Sequence, residues 1–233
     1  RVGDTFYMLS TTFHQLPGAT LLKSHDLVNW EYCANPLQQL VTDPTDAKWN
    51  KYNLLNGEDA YAEGMWASAL AYHDGTYYIL ISSLDLGGAV LTATDPAGPW
   101  TYRKLNDNFY DCGMLFEDDC IYVVCGINSI HVVKLDKNFN RLADKEVINR
   151  ANSGLEGSKI YHIGDYYYIY NTYGGTEGSQ TIFRSKDPMG TYEEVAARVM
   201  KGQHIHQGAL VDTPSGQWWT VLFKDDGAIG RVP

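Results

Sequence analysis

No apolar run in this 233-residue chain approaches the roughly 18 residues of a membrane-spanning helix, so a helical span is excluded. Positive charge is also scarce. Eighteen Lys and Arg stand against 28 Asp and Glu, a formal net charge of −10 at pH 7. A nucleic-acid partner would need the opposite balance, with Lys and Arg clustered against phosphate. Cysteine is limited to Cys33, Cys112, Cys120 and Cys125, and no C-x-x-C pair suggests a zinc site. Three of the four fall in expected strands or at their turns, where reduced thiols are commonly buried. The compartment stays open, with a lean towards the cytoplasm. No convincing amphipathic helix is present. Gly87-Gly88 and Gly174-Gly175 read as hairpin glycines and carry no phosphate-binding motif. There is no signal peptide, and Arg1 is not an initiator Met, so residues upstream are expected to have been lost.

Aromatic residues are plentiful: 17 Tyr and 6 Trp, most of them in short strand-like runs. Their broad apolar faces and polar tips suit both pleated sheets and carbohydrate-facing clefts. With 44% hydrophobic and 20% charged residues, the chain fits one soluble globular domain of ordinary size.

One local frame recurs. A polar or aromatic residue leads a short apolar strand, a polar turn follows, and an aromatic-rich strand returns. Glu156 leads Lys159-Ile160-Tyr161, the turn Gly164-Asp165 and the return Tyr167-Tyr168-Ile169-Tyr170. Trp66, Asp111 and Gln207 occupy the same slot before returns at Tyr77, Ile121 and Trp218. The slot-to-return spacing is 11 residues for Trp66, Glu156 and Gln207, and 10 for Asp111. A fifth return strand begins at Phe6, and its slot would lie about five residues before Arg1. After each return comes a strand ending in Asp, a tight turn, and an aromatic: Asp26 with Trp30, Asp95 with Trp100, the degenerate Asp136 with Phe139, and Asp187 with Tyr192. This is hairpin chemistry. Returns near residues 6, 77, 121, 167 and 218 recur mostly at the 40–50-residue period of propellers. The expected fold is therefore an all-β, five-bladed β-propeller of four-stranded antiparallel blades, the first blade incomplete. Residues 1–233 are read as a single catalytic domain lacking the N-terminal strand. The long first gap places an insertion at 36–61, a surface loop with room for a short helical turn.

Slot residues at equivalent places on successive inner strands should converge. An acid in a strand slot is ordinarily just solvated, yet two in one frame, Asp111 and Glu156, supply the pair that glycoside hydrolysis needs. In inverting enzymes the two carboxyls lie about 6.5–9.5 Å apart, and a neighbouring negative charge helps the acid keep its proton.

The run Arg1-Val2-Gly3-Asp4-Thr5-Phe6-Tyr7 closely resembles the opening of glycoside hydrolase family 43. So do Gly64-Met65-Trp66-Ala67, Tyr110-Asp111, Glu156-Gly157-Ser158-Lys159-Ile160-Tyr161 and Leu210-Val211-Asp212-Thr213-Pro214. The resemblance implies an inverting propeller enzyme acting mostly on β-xylosides or α-L-arabinofuranosides. It makes Glu156 the general acid and Asp111 the residue that raises the acid's pKa and orients it. The general base it implies is an Asp upstream of Arg1, absent from this chain. Asp111-Cys112-Gly113 stands where the family has Asp-Pro-Ser, and His206 and Gln207, which share the place of a family His, are expected to bind substrate. No cofactor is required, and a channel cation beside His206 is left open. Phe13, His14 and Trp66 are expected sugar-pocket walls, with channel packing the alternative for Trp66. Arg231 resembles a family Arg that contacts substrate hydroxyls, with plain solvation the alternative.

The expected partner is a xylo- or arabino-oligosaccharide, with neither nucleic acid nor membrane involved. The expected activity is release of terminal pentoses. The alternatives are an endo-arabinanase, which needs an open groove, and a catalytically inactive carbohydrate-binding propeller.

Overall fold

The computed structural model describes residues 1–174, 178–225 and 231–232; for Ala197, Asp225, Arg231 and Val232 the description covers the backbone alone. The repeated Asp-turn-aromatic segment closes in the same way at each of its four places. Oδ1 of Asp26, Asp95, Asp136 and Asp187 accepts the backbone N–H two residues on, from Val28, Ala97, Asn138 and Met189, at 2.8–2.9 Å. These Asx turns reverse the chain without a partner strand. At three of the four places the aromatic then donates back to a turn carbonyl: Trp30 to Leu27, Trp100 to Pro96 and Tyr192 to Pro188. The sequence echo is thus a self-closing turn.

The chain falls into two compact units, residues 2–110 and residues 111–233 with Arg1. In the first, β1 (Phe6–Leu9), β2 (Leu21–Ser24) and β3 (Glu31–Ala34) form a three-stranded antiparallel sheet. A four-stranded sheet follows, made of β4 (Ala69–His73), β5 (Thr76–Ile81), β6 (Ala89–Ala93) and β7 (Thr101–Lys104). Its two-residue alternation buries Ile79, Ile81, Ala89 and Leu91 with Leu37 and Met65 as one core. The insertion at 36–61 carries one helical turn, α1 (Trp49–Tyr52), over a small cluster of Val41, Tyr52 and Ala60. Lys48 Nζ bonds Asp85 Oδ1 at 2.7 Å and anchors the insertion to the loop after β5.

The second unit holds three sheets. The first contains β8 (Gly113–Glu117), β9 (Cys120–Cys125), β10 (Ser129–Asp136) and β11 (Arg141–Asn149). The second contains β12 (Leu155–Ile163), β13 (Tyr166–Tyr173), β14 (Ser179–Ser185) and β15 (Glu193–Val199). The third contains β16 (Ile205–Asp212), β17 (Trp218–Asp225) and β18 (Arg231–Val232). Val124, Ile130, Val132, Leu155, Ile160, Ile169 and Phe183 fill the core between the first two. At about 1.5–3 kcal/mol for each large buried side chain, this packing is the main favourable term in the unit.

The arrangement is all-β and propeller-type, each sheet an up-and-down meander in chain order. The stretches expected as inner strands, 66–72, 111–116, 156–161 and 207–212, head four separate sheets at one edge of each. One detail differs from expectation. Trp66 and Asp111 precede their strands rather than opening them; at Asp111 the cause is a left-handed backbone, φ 49°, outside the ladder. Among the described residues the last sheet shows three strands, the third only two residues long.

Heading strands approach each other closely in the second unit. A Cβ on Gly113 would lie 2.6 Å from Lys159 Cα and 2.7 Å from the Ser158 carbonyl oxygen, both backbone atoms that cannot swing aside. Gly113→Ala is therefore expected to destabilise the protein by about 1–3 kcal/mol, the cost of overpacking. Urea unfolding measures it, and a loss under about 0.5 kcal/mol would show that β8 and β12 are free to separate.

Candidate active site

The heading strands of the second unit carry their polar residues on irregular backbone. In β12, Glu156 pairs with Thr172 and Lys159 with Tyr170, so one extra residue bulges between them, with Gly157 at φ 64°. In β16, His206 pairs with Phe223 and Gly208 with Leu222, leaving Gln207 as the extra residue at φ 34°. A bulge re-aims side chains that a regular pleat would send to alternate faces. Adjacent His206 and Gln207 accordingly each meet a carboxylate. Gln207 Nε2 donates to Asp111 Oδ2 at 2.6 Å, and His206 Nε2 lies 3.2 Å from Glu156 Oε1.

Asp111 is only 2% exposed. Burial pushes its pKa up to about 6, and the Glu156 charge pushes in the same direction; Lys159, His206 and the Gln207 hydrogen bond pull the other way. Lys159 sends its ammonium to the Cys112 carbonyl at 2.9 Å, and burial lowers its own pKa. Glu156 finds room through Gly174, where any Cβ would come within 2.8 Å of Oε1. His206 is buried and leans on Phe223, and its Nδ1 has no partner among the described residues. No group of three or more His, Cys, Asp or Glu able to hold a metal occurs among the described residues.

The other expected site residues lie in the first unit. Phe13, at φ 49°, bridges to Met65 in both directions, and its ring meets Trp66 edge-on at 5.5 Å. Trp66 also touches Tyr110, with ring centres 6.2 Å apart, and lines a cavity of about 270 Å³ with Lys51, Glu63, Leu84 and Asp85. Lys51 bonds Glu63 and Asp85 there, and Tyr52 donates to Asp85 at 2.8 Å. His14 accepts from the Ala62 N–H at 3.1 Å and packs on Tyr61. Arg231 pairs through its backbone with Asp225, and its side chain lies outside the described residues.

A family model, "Glycosyl hydrolases family 43", matches residues 1–231. The chain belongs to this family. It is 33% identical to a non-reducing-end α-L-arabinofuranosidase of Bacteroides ovatus, over 96% of this chain and 44% of that one. It is 26% identical to a β-xylosidase of Formosa agariphila, over 97% of this chain and 44% of that one. A solved bifunctional GH43-CE protein from Bacteroides eggerthii superposes with TM-score 0.89 at 32% identity, covering all of this chain and 31% of that one. The family 43 chain thus spans less than half the length of these relatives.

Reading the sequence left Lys159 without a role, although it stands three residues after Glu156 in a run already singled out. A lysine inside an apolar strand was the available signal. The insertion's Lys51 was missed too, because only the fold brings it to Trp66.

A carboxyl whose folded pKa is raised binds its proton more tightly in the native state. Its burial therefore costs nothing below about pH 4, and destabilises increasingly as pH rises from 4 through 6. Asp111→Asn removes that penalty. The variant's stability advantage over wild type is expected to grow from near zero at pH 4 to on the order of 2–3 kcal/mol above pH 6. Denaturant unfolding across this range is the measurement, and an advantage independent of pH would contradict the raised pKa.

Proposed function

We propose that this family 43 chain is the catalytic propeller of an inverting exo-glycosidase that releases terminal β-D-xylose and/or α-L-arabinofuranose from hemicellulose oligosaccharides. The observation that carries the reading is the paired site. Buried Asp111 is held by Gln207 while Glu156 faces His206, so each carboxyl has its own partner from adjacent residues of one strand. The arabinofuranosidase and xylosidase among the relatives support a pentose substrate.

In this proposal Glu156 gives its proton to the glycosidic oxygen as the bond to the anomeric carbon breaks. Asp111 holds the acid in place, itself fixed by Gln207. Water attacks the anomeric carbon from the opposite face and passes its proton to a general base, so the configuration inverts. His206 Nε2 faces the Glu156 carboxyl and helps fix it. Phe13 and Trp66 offer an aromatic surface suited to a sugar ring. Each of the five sheets is read as one blade. The slots heading four of the sheets hold Trp66, Asp111, Glu156 and Gln207, and the water is activated by a carboxylate other than Asp111 and Glu156. No cofactor takes part.

Glu156→Gln should cut hydrolysis of xylo- or arabino-oligosaccharides by about 10²–10⁴, and hydrolysis of aryl glycosides with good leaving groups by at least tenfold less, because an activated leaving group needs little protonation. Equal losses on both substrate types would remove Glu156 from the acid role.

A further inference from the structure

A second cavity, of about 350 Å³, opens in the first unit between the start of the 36–61 insertion and the outer edge of the β4–β7 sheet. It shares no lining residue with the cavity beside Trp66. Its wall is a stripe along the edge strand. Tyr102 and Lys104, two residues apart, present to the same face of β7, about 7 Å from each other, and Trp100, just before the strand, lines the cavity with them. Register confirms the face: Tyr102 lies opposite Leu91, and Leu91 forms the buried floor. Trp100 is held rigidly, one side packed on the core and its indole N–H committed to the Pro96 carbonyl. Tyr102, by contrast, is 47% exposed.

The polar groups facing this stripe come from the insertion. Gln38 and Gln39 each spend an amide N–H on the chain itself, on the Asn35 carbonyl at 2.6 Å and Asn53 Oδ1 at 3.2 Å. That fixes both amides and turns their oxygens into placed acceptors. Asp43 is pinned likewise by the Thr45 N–H and hydroxyl, at 2.8 and 2.7 Å. The cavity thus combines a fixed aromatic wall, an apolar floor and a rim of oriented acceptors, with Lys104 as a cationic donor.

This combination selects a ligand class. Acceptors outnumber cations, and Asp46 adds another carboxylate, so an anionic ligand is disfavoured. A purely apolar ligand would leave the rim acceptors desolvated and unpaired. A neutral sugar satisfies both sides, laying the C–H face of its ring on Trp100 or Tyr102 and donating hydroxyls to the amides and carboxylates. We propose that this cavity is a non-catalytic binding site for a neutral sugar, placed to hold a polysaccharide on the outer edge of this blade. The assignment uses none of the residues placed in the active site. The same ring chemistry is offered by a polymer chain and by a free pentose.

Affinity electrophoresis of the wild-type protein in gels containing soluble neutral arabinoxylan tests it. Wild type should be retarded. Tyr102→Ala and Gln38→Ala, both exposed and outside the core, should each weaken retardation about fivefold to tenfold, whereas Tyr72→Ala, an exposed tyrosine elsewhere on the sheet, should leave it as in wild type. Added xylohexaose should release the retardation. Release by millimolar free xylose or arabinose as well identifies a single-ring site that also takes product, and release by oligomers alone identifies a chain-binding site. Absence of retardation in wild type, or equal retardation of wild type, Tyr102→Ala and Gln38→Ala, overturns the proposal. Aryl-pentoside turnover is followed separately. Its absence bears on the proposed catalysis and leaves the gel result standing.

Discussion

Two carboxyl groups kept from water repel each other, and much of the unit 111–233 is arranged to hold Asp111 and Glu156 despite that repulsion. Asp111 is almost wholly buried, which alone disfavours its charge, and Glu156 adds to the penalty. Opposing groups lessen the cost without removing it: the Gln207 amide at 2.6 Å, and the positive charge of Lys159. The remainder is offset elsewhere, chiefly by the apolar packing between the two four-stranded sheets of the unit. Cost concentrated at one polar cluster and compensated in the core is the pattern expected of a candidate functional site.

The backbone bears part of the same burden. A regular strand sends adjacent side chains to opposite faces, so His206 and Gln207 could not both meet the acids from an ideal pleat. The bulge at Gln207, the bulge after Glu156 and the left-handed turn at Asp111 each break regularity by about one residue at the start of a strand. Beyond that point the ladders run in regular pairing, from Gly113 to Glu117 and from Lys159 to Ile163. Rigidity downstream holds the irregular start in place. Small residues complete the arrangement, since Gly113 lets the strands close up and Gly174 leaves space for the Glu156 carboxyl.

The first unit solves a different problem with a different device. Its insertion adds no strand, and one helical turn with a chain of charged contacts ties it down. Lys48, Lys51 and Tyr52 all meet Asp85, whose pKa these contacts hold down at about 2. A segment fixed by such contacts can carry polar groups beside Trp66 on one side and towards Trp100 on the other. The same short stretch therefore borders both cavities described in this unit.

The sequence by itself determined the strands. Alternating apolar residues, aromatic returns and Asp-led turns are local signals, and the returns begin within one residue of Phe6, Tyr77, Ile121, Tyr167 and Trp218 as read from the chain. The Asp turns are legible for the same reason, because each closes on hydrogen bonds within a few residues. The slot frame likewise singled out Asp111, Glu156 and Gln207. Which partner each residue takes was decided only by tertiary structure. That Gln207 holds Asp111 while His206 faces Glu156 depends on a one-residue bulge, and single-residue register is not encoded in apolar periodicity. The burial that raises the Asp111 pKa, and the approach of Lys51 to Trp66, are sums over residues distant in sequence. Local pattern fixes what each segment becomes, and only the packing of segments against one another sets the electrostatics between them.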